Sequence, residues 1–257
     1  MKHLPLDRRN IDDIRTIDKF NYAWQKFAFR EVSLGWHKDS FSYMKLLPSS
    51  IFDSANMIGL DAGCGSGADL IYMRRKGIRM LGIDAADAVD IAYRNTRNTE
   101  GIDIFQADIY NLPFKESSFD LVYSLGVLHH LRNPEDAFKK LSKLVKSGGT
   151  IIIYVYEKFT NRSCLGKFGL WLTQQARGIT TQLNPSLLYL ICVIFSPLIL
   201  MVFSLPAKFM LKFNTTRKIA YRLPYRHTAN LLCIVADLYD RFSPPIENRY
   251  NRDRDVV

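Results

Sequence analysis

The segment Gly59-Leu60-Asp61-Ala62-Gly63-Cys64-Gly65-Ser66-Gly67 constrains this chain more than any other. An apolar run from Met57 to Leu60 meets an acidic residue and then three glycines at alternate positions. A helical pattern from Asp69 to Lys76 follows at once. That order predicts a buried parallel strand, a tight turn, and a helix whose N-terminus points at a ligand. Glycine at positions 63, 65 and 67 removes the Cβ atoms that would keep a nucleotide-like ligand off the backbone.

Strand and helix patterns then alternate. Strands are expected at Met57–Leu60, Met80–Ile83, Ile102–Phe105, Phe119–Ser124 and Thr150–Tyr156, with a helix over Ala86–Asn98. Another helix is punctuated by Asn133 as its cap, Pro134 at its first position and Gly148-Gly149 as its stop. Such βα alternation predicts an α/β fold, a doubly wound and mostly parallel sheet with its ligand at the carboxyl ends of the strands. The expected division is a helical, aromatic leader (1–54), a ligand-binding α/β domain (55–157), and an apolar, basic helical insertion or cap (158–257). The last strands of a complete doubly wound sheet are not visible.

Charge is unevenly placed. Residues 1–157 carry 21 Lys+Arg against 20 Asp+Glu, whereas 158–257 carry 14 against 5, so +9 of the net +10 lies in the last hundred residues. Hydrophobic content of 47% excludes a disordered chain. The four cysteines lie far apart, with no CxxC or Cys/His spacing, so no metal site is expected and a reducing cytoplasm fits. No signal peptide is visible in Met1–Arg30.

Asp84 ends the second strand, where a carboxylate can accept both hydroxyls of a ribose lying over the glycine loop, with Ala85 beside it. Capping the next helix is the plainer task for the same residue. Asp108 ends the third strand, where an adenine amine would project towards it and a ring nitrogen towards the Ile109 N–H. A surface-turn aspartate is the plainer reading there.

These residues resemble the class I S-adenosylmethionine-dependent methyltransferases, in the small-molecule branch called type 11. The matching motifs run in order: Leu-Asp-Ala-Gly-Cys-Gly-Ser-Gly (60–67), Gly-Ile-Asp (82–84), Gln-Ala-Asp-Ile (106–109), Leu-Pro-Phe (112–114) and Ser-Phe-Asp-Leu-Val-Tyr-Ser (118–124). Leu128-His129-His130, Pro134-Glu135 and Leu-Val-Lys-Ser-Gly-Gly (144–149) complete the set, over about residues 55–157. The resemblance implies S-adenosyl-L-methionine as cofactor, held by Asp61, Ala62, Gly63, Gly65, Gly67, Asp84, Ala85, Asp108, Ile109 and Leu125. Tyr22 and Trp24 are the aromatic faces expected near the sulfonium. His129 and His130 are the candidate general bases.

Leu187–Pro206 carries no charge over twenty residues and is interrupted by Pro197. It admits three readings: a single membrane span, a membrane-dipping hairpin broken at the proline with basic flanks, or a buried cap over the acceptor site. The expectation drawn from it is a small, apolar acceptor, no nucleic acid, and membrane-surface association through residues 187–226. Two rival functions remain open. A methyltransferase-like scaffold would lack catalysis, and an NAD-type oxidoreductase would need a second mononucleotide half after residue 150.

Overall fold

The computed structural model describes residues 11–34, 49–52, 56–158, 164–221, 223–226 and 230–251. The leader positions 1–10 and 35–48, Arg222 and the last six residues lie outside them.

Five parallel strands form one sheet: β1 (Ile58–Ala62), β2 (Arg79–Asp84), β3 (Ile102–Gln106), β4 (Phe119–Leu125) and β5 (Val145–Tyr154), in the order β3-β2-β1-β4-β5. The chain runs outward from β1 to β3 and then returns to β1's other side as β4. That reversal between β1 and β4 is where an open α/β sheet opens a crevice for ligands. Alternation along the strands serves two cores. Met80, Leu121 and Tyr123 pack on one face with Leu70, Met73 and Val89 of the helices α2 (Ala68–Arg75) and α3 (Ala88–Thr96). Leu60, Ala62, Ile83 and Val122 pack on the other with Ala137 and Leu141 of α4 (Pro134–Lys143).

Two punctuation expectations need correction. Asn133 does stand at the N-cap of α4, but its side chain makes no capping bond. Gly148-Gly149 does not stop that helix, because β5 already begins at Val145, opposite Phe119. The pair sits instead in a register slip before Thr150 meets Leu121.

A third, helical core joins the leader to the C-terminal part. Phe27 of α1 (Ile11–Leu34) packs with Leu188 and Cys192 of α6 (Pro185–Met210) and with Ile234, Leu238 and Tyr239 of α8 (Leu231–Phe242). Before them comes α5 (Cys164–Thr180), and between α6 and α8 the short α7 (Arg217–Ala220). The helix α6 runs unbroken over Pro185–Met210, against the expected break at Pro197. Proline removes the N–H that would reach the Val193 carbonyl, and the Ser196 hydroxyl donates to that carbonyl instead, at 2.9 Å. A π-helical turn, Leu200–Ser204, then absorbs the strain. Leu188, Cys192, Ser196, Ser204 and Ala207 of this helix are buried, while Ile194, Phe195, Leu198 and Met201 are at least half exposed.

The return segment after α8 is tied to the sheet edge. Asn248 donates its backbone N–H to His129 O (2.7 Å) and its amide to Leu131 O (2.7 Å). Tyr250 forms a parallel bridge with Glu157, one step beyond β5. Beneath it Arg177 and Glu247 pair at 3.0 Å, and Arg249 reaches the other Glu247 oxygen at 2.7 Å.

Candidate functional site

A cleft of about 390 Å³ opens at the carboxyl ends of β1, β2, β3 and β4, roofed by α1 and walled by α8. Its floor is the glycine turn. Gly63 and Gly65 both have positive φ, at 97° and 49°. A Cβ at Gly63 would stand 2.2 Å from Val127, and one at Gly65 would stand 2.5 Å from the Trp24 ring. The turn is held by Asp84. Its carboxylate accepts the Gly65 N–H at 3.0 Å and the Ala86 N–H at 2.8 Å, one on each oxygen. Each oxygen keeps a further lone pair for a ligand hydroxyl. Burial raises the Asp84 carboxyl from its ordinary value, and these backbone N–H groups act against the rise.

Asp61 and Asp69 line the same cleft beside Asp84. Burial, then the charges of Asp69 and Asp84, push the Asp61 carboxyl well up. Acidic groups crowded round one backbone turn disfavour a pyrophosphate, and a cationic ligand beside them would favour their ionised forms. Among the described residues no three His, Cys, Asp or Glu side chains are placed to hold a metal ion. The cradle therefore fits an organic cation with a ribose, as S-adenosylmethionine is, better than a dinucleotide.

Most of the residues singled out in the sequence meet here. Asp61, Gly63, Gly65, Asp84, Ala85, Asp108, Ile109, Leu125, Trp24 and His130 all line the cleft. Asp108 accepts the Tyr110 N–H at 2.8 Å. Four others are placed elsewhere. Tyr22 stacks on Tyr239 with ring centroids 5.6 Å apart, within the helical core, because its side of α1 faces α8. Gly67 caps α2 and packs against Thr96 and Ala92 of α3. The Ala62 carbonyl accepts the Ser124 hydroxyl at 2.7 Å. His129 is fully buried and stacks on Tyr156 at 3.9 Å.

Burial holds both histidines in their neutral form. Burial, then His130, lowers His129 to about 2. Burial lowers His130 to about 4. His130 Nδ1 lies 2.8 Å from the Ile246 carbonyl, which can only accept, so that nitrogen carries the proton. The cleft also contains residues that no motif announced: Phe20 of α1, Tyr156 just past β5, and Asp237 and Asp240 of α8. Nothing in the spacing of Tyr239–Pro245 aims a carboxylate at the sheet.

Residues 60–153 match the family model described as a methyltransferase domain. The chain is 28% identical over 160 residues to a tRNA U34 carboxymethyltransferase of Vibrio cholerae, covering 59% of this chain and 49% of that protein. It is 30% identical over 138 residues to the protein of the same name from Pseudoalteromonas translucida, covering 51% and 42%. The chain spans about half the length of these relatives. A solved S-adenosylmethionine-dependent methyltransferase of Aquifex aeolicus is 19% identical with a TM-score of 0.41, covering 52% of this chain and 78% of that one.

The tRNA-modifying relatives overturn the expected partners, a small apolar acceptor to the exclusion of nucleic acid. That exclusion rested on an apolar run lying beside the positive charge. Contact with phosphate needs cations on the surface and is indifferent to what packs between them. The expected basic, apolar surface over 187–226 is not one face either, since Leu188, Cys192, Ser204, Ala207 and Ala220 within it are buried. With its glycine turn, Asp84, Asp108 and parallel five-stranded sheet in the matched region, residues 60–153 belong to the type 11 methyltransferase-domain family, whose cofactor is S-adenosylmethionine.

Proposed function

We propose that the protein transfers a methyl group from S-adenosylmethionine to a protic acceptor seated between Tyr156, His130 and α8. The observation that carries this is the trio Asp61, Asp69 and Asp84 round a glycine turn that Trp24 covers. In this reading Asp84 accepts the ribose hydroxyls, Asp108 faces the adenine amine, and the Trp24 ring lies near the sulfonium. The bound cofactor supplies an activated methyl group. The chain's own contribution is to align donor and acceptor and to exclude water between them. The acceptor class supported by the relatives' names is tRNA, and the net +9 of residues 158–257 suits a phosphate backbone. Calorimetry with S-adenosylmethionine, followed by transfer of tritiated methyl into bulk tRNA, tests both halves. Absence of heat on titration would remove the cofactor; heat without label in tRNA would remove the acceptor class and leave the cofactor site.

We place the protein in the cytoplasm. One observation favours a position at the inner face of a membrane: α6 is long and apolar enough to cross a bilayer, and its outward residues Ile194, Phe195 and Met201 are exposed. A crossing helix would carry lipid on all sides, whereas Leu188 and Cys192 are packed on α8, so the fitting arrangement is adsorption. Flotation with liposomes, with and without anionic lipid, decides it. Recovery wholly in the unbound fraction leaves a protein free in the cytoplasm.

A further inference from the structure

Asp240 stands on the wall of the cleft opposite the glycine turn. Its Oδ2 accepts the Tyr156 hydroxyl at 3.2 Å. Tyr156 in turn is clamped by the His129 ring stacked on it and by its own carbonyl, which accepts the Tyr250 N–H at 2.9 Å. The carboxylate is thus held from a β-strand end although it comes from the last long helix. The groups that face it are Asp237 and Arg241 on its own helix, Tyr156 beyond β5, Glu247 in the return segment and Arg177 of α5. Arg241 is engaged with Asp237 at 3.5 Å and Arg177 with Glu247, so neither is committed to Asp240.

Several other titratable groups of the cleft carry bonds of their own. Asp84 and Asp108 accept backbone N–H groups of their own turns. Asp61 and Asp69 belong to the glycine turn, on the cofactor side. His129 is buried behind Tyr156, and His130 donates its Nδ1–H to Ile246 O, which leaves Nε2 as its acceptor.

We propose that Asp240 is the catalytic base of the acceptor half of the cleft, with Tyr156 as its positioning residue. This rests on the methyl-transfer reading. The acceptor's nitrogen or oxygen forms the new bond to carbon, the carbon–sulfur bond breaks with its electron pair left on sulfur, and the acceptor's proton passes to the Asp240 carboxylate. A carboxyl raised to about 6, chiefly by burial and then by Asp237, is ionised at neutral pH and more basic than an ordinary aspartate.

The experiment uses the full chain, tritiated S-adenosylmethionine, and two probes: bulk tRNA and an unfractionated cell extract. The rate of labelling is followed from pH 5 to 8. The wild-type rate should rise with pH and level off above about pH 6, the value of Asp240. Asp240→Asn should lower the plateau about a hundredfold or more, with cofactor affinity within about twofold of wild type. Tyr156→Phe, which keeps the ring on His129, should keep most of the plateau and move the inflection to higher pH, because a hydrogen bond to the charged form is lost. Asp240→Asn labelling at the wild-type rate would overturn the proposal, as would a loss of cofactor binding in that variant equal to its loss of rate. A wild-type protein that binds cofactor yet labels neither probe removes the methyl-transfer reading, and the base falls with it.

Discussion

Trp24 closes directly on Gly65: a Cβ at residue 65 would stand 2.5 Å from Cζ2 of the indole. A helix of the leader and the cofactor turn, 41 positions apart, are in van der Waals contact with no side chain between them. Around that contact α1 is fastened to the sheet side. Asp87 donates its N–H to the Asn21 side chain at 2.6 Å, and Arg132 pairs with Asp13 at 3.7 Å. Access to the turn therefore depends on the leader helix as much as on the glycines.

A side chain at residue 65 must displace the indole and also adopt a φ of 49°. The left-handed backbone alone costs a non-glycine residue about 1–2 kcal/mol. Gly65→Ala should lower stability by about that much and weaken S-adenosylmethionine binding. Gly65→Val should abolish binding while the far-ultraviolet circular dichroism stays native. Calorimetry and melting curves check both, and undiminished affinity in the valine variant would put the cofactor elsewhere.

Asp84 binds the turn before it binds any ligand. Asp84→Ala leaves the Gly65 and Ala86 N–H groups without their carboxylate and removes the expected ribose acceptor. Cofactor affinity should fall about ten- to hundredfold, about 1.5–3 kcal/mol. Asp108→Ala, at the residue proposed to face the adenine, should cost less. Equal affinities for the wild type and both variants would rule out this placement.

The half of the site legible in the sequence is the half built from local backbone geometry. Alternate glycines, a strand-ending Asp84 and a strand-ending Asp108 announce their tasks because the residues that matter are within a few positions of one another. The parallel sheet follows from the same alternation of patterns. Asp240 and Tyr156 were illegible for the opposite reason: a helix from the far end of the chain must pack against α1 and α6 before they meet. A sequence position after β4 says nothing of the burial that sets His129 behind Tyr156 while His130 reaches the cleft. Tyr22 and Trp24, two residues apart on a helix, point to different faces, so one could enter the cleft and the other could not. The unbroken α6 turned on Ser196 supplying the donor that Pro197 lacks.

The return segment hangs on one buried charge cluster. Arg177 and Glu247 are almost wholly inaccessible, with side-chain exposures of 7% and 3%. Arg177 also donates to the carbonyls of Arg241 and Pro244. Arg177→Ala would orphan two carbonyls and leave Glu247 with Arg249 alone. Removing one partner of such a pair costs about 3–5 kcal/mol. Urea unfolding should show a loss of that size, whereas Arg79→Ala, whose pair with Asp103 is exposed, should cost less than about 1 kcal/mol. A small effect at Arg177 would mean that residues 244–250 are held by their backbone bonds.

Acid should reveal the buried His130. Its folded value is about 4 against about 6.5 in an unfolded chain, so between those values protons bind the unfolded state preferentially. The neutral imidazole's contribution is fully present above pH ~6.5 and is lost as pH falls, by about 3 kcal/mol near pH 4. Asp240 works in the opposite sense. Its carboxyl, raised to about 6, takes up a proton in the fold before the unfolded chain does, so it returns stability as pH falls from 6 towards 4. His130→Asn preserves a donor for Ile246 O and cannot charge. Its unfolding free energy should vary less between pH 6.5 and 4 than that of the wild type. Asp240→Asn should make the acid loss steeper. Other carboxylates titrate alike in all three proteins, so urea unfolding at pH 4, 5, 6 and 7 isolates the two residues by difference. Parallel pH profiles for wild type and His130→Asn would show that this histidine titrates in the fold as it does in the unfolded chain, contrary to its burial beside Phe20 and Ile246.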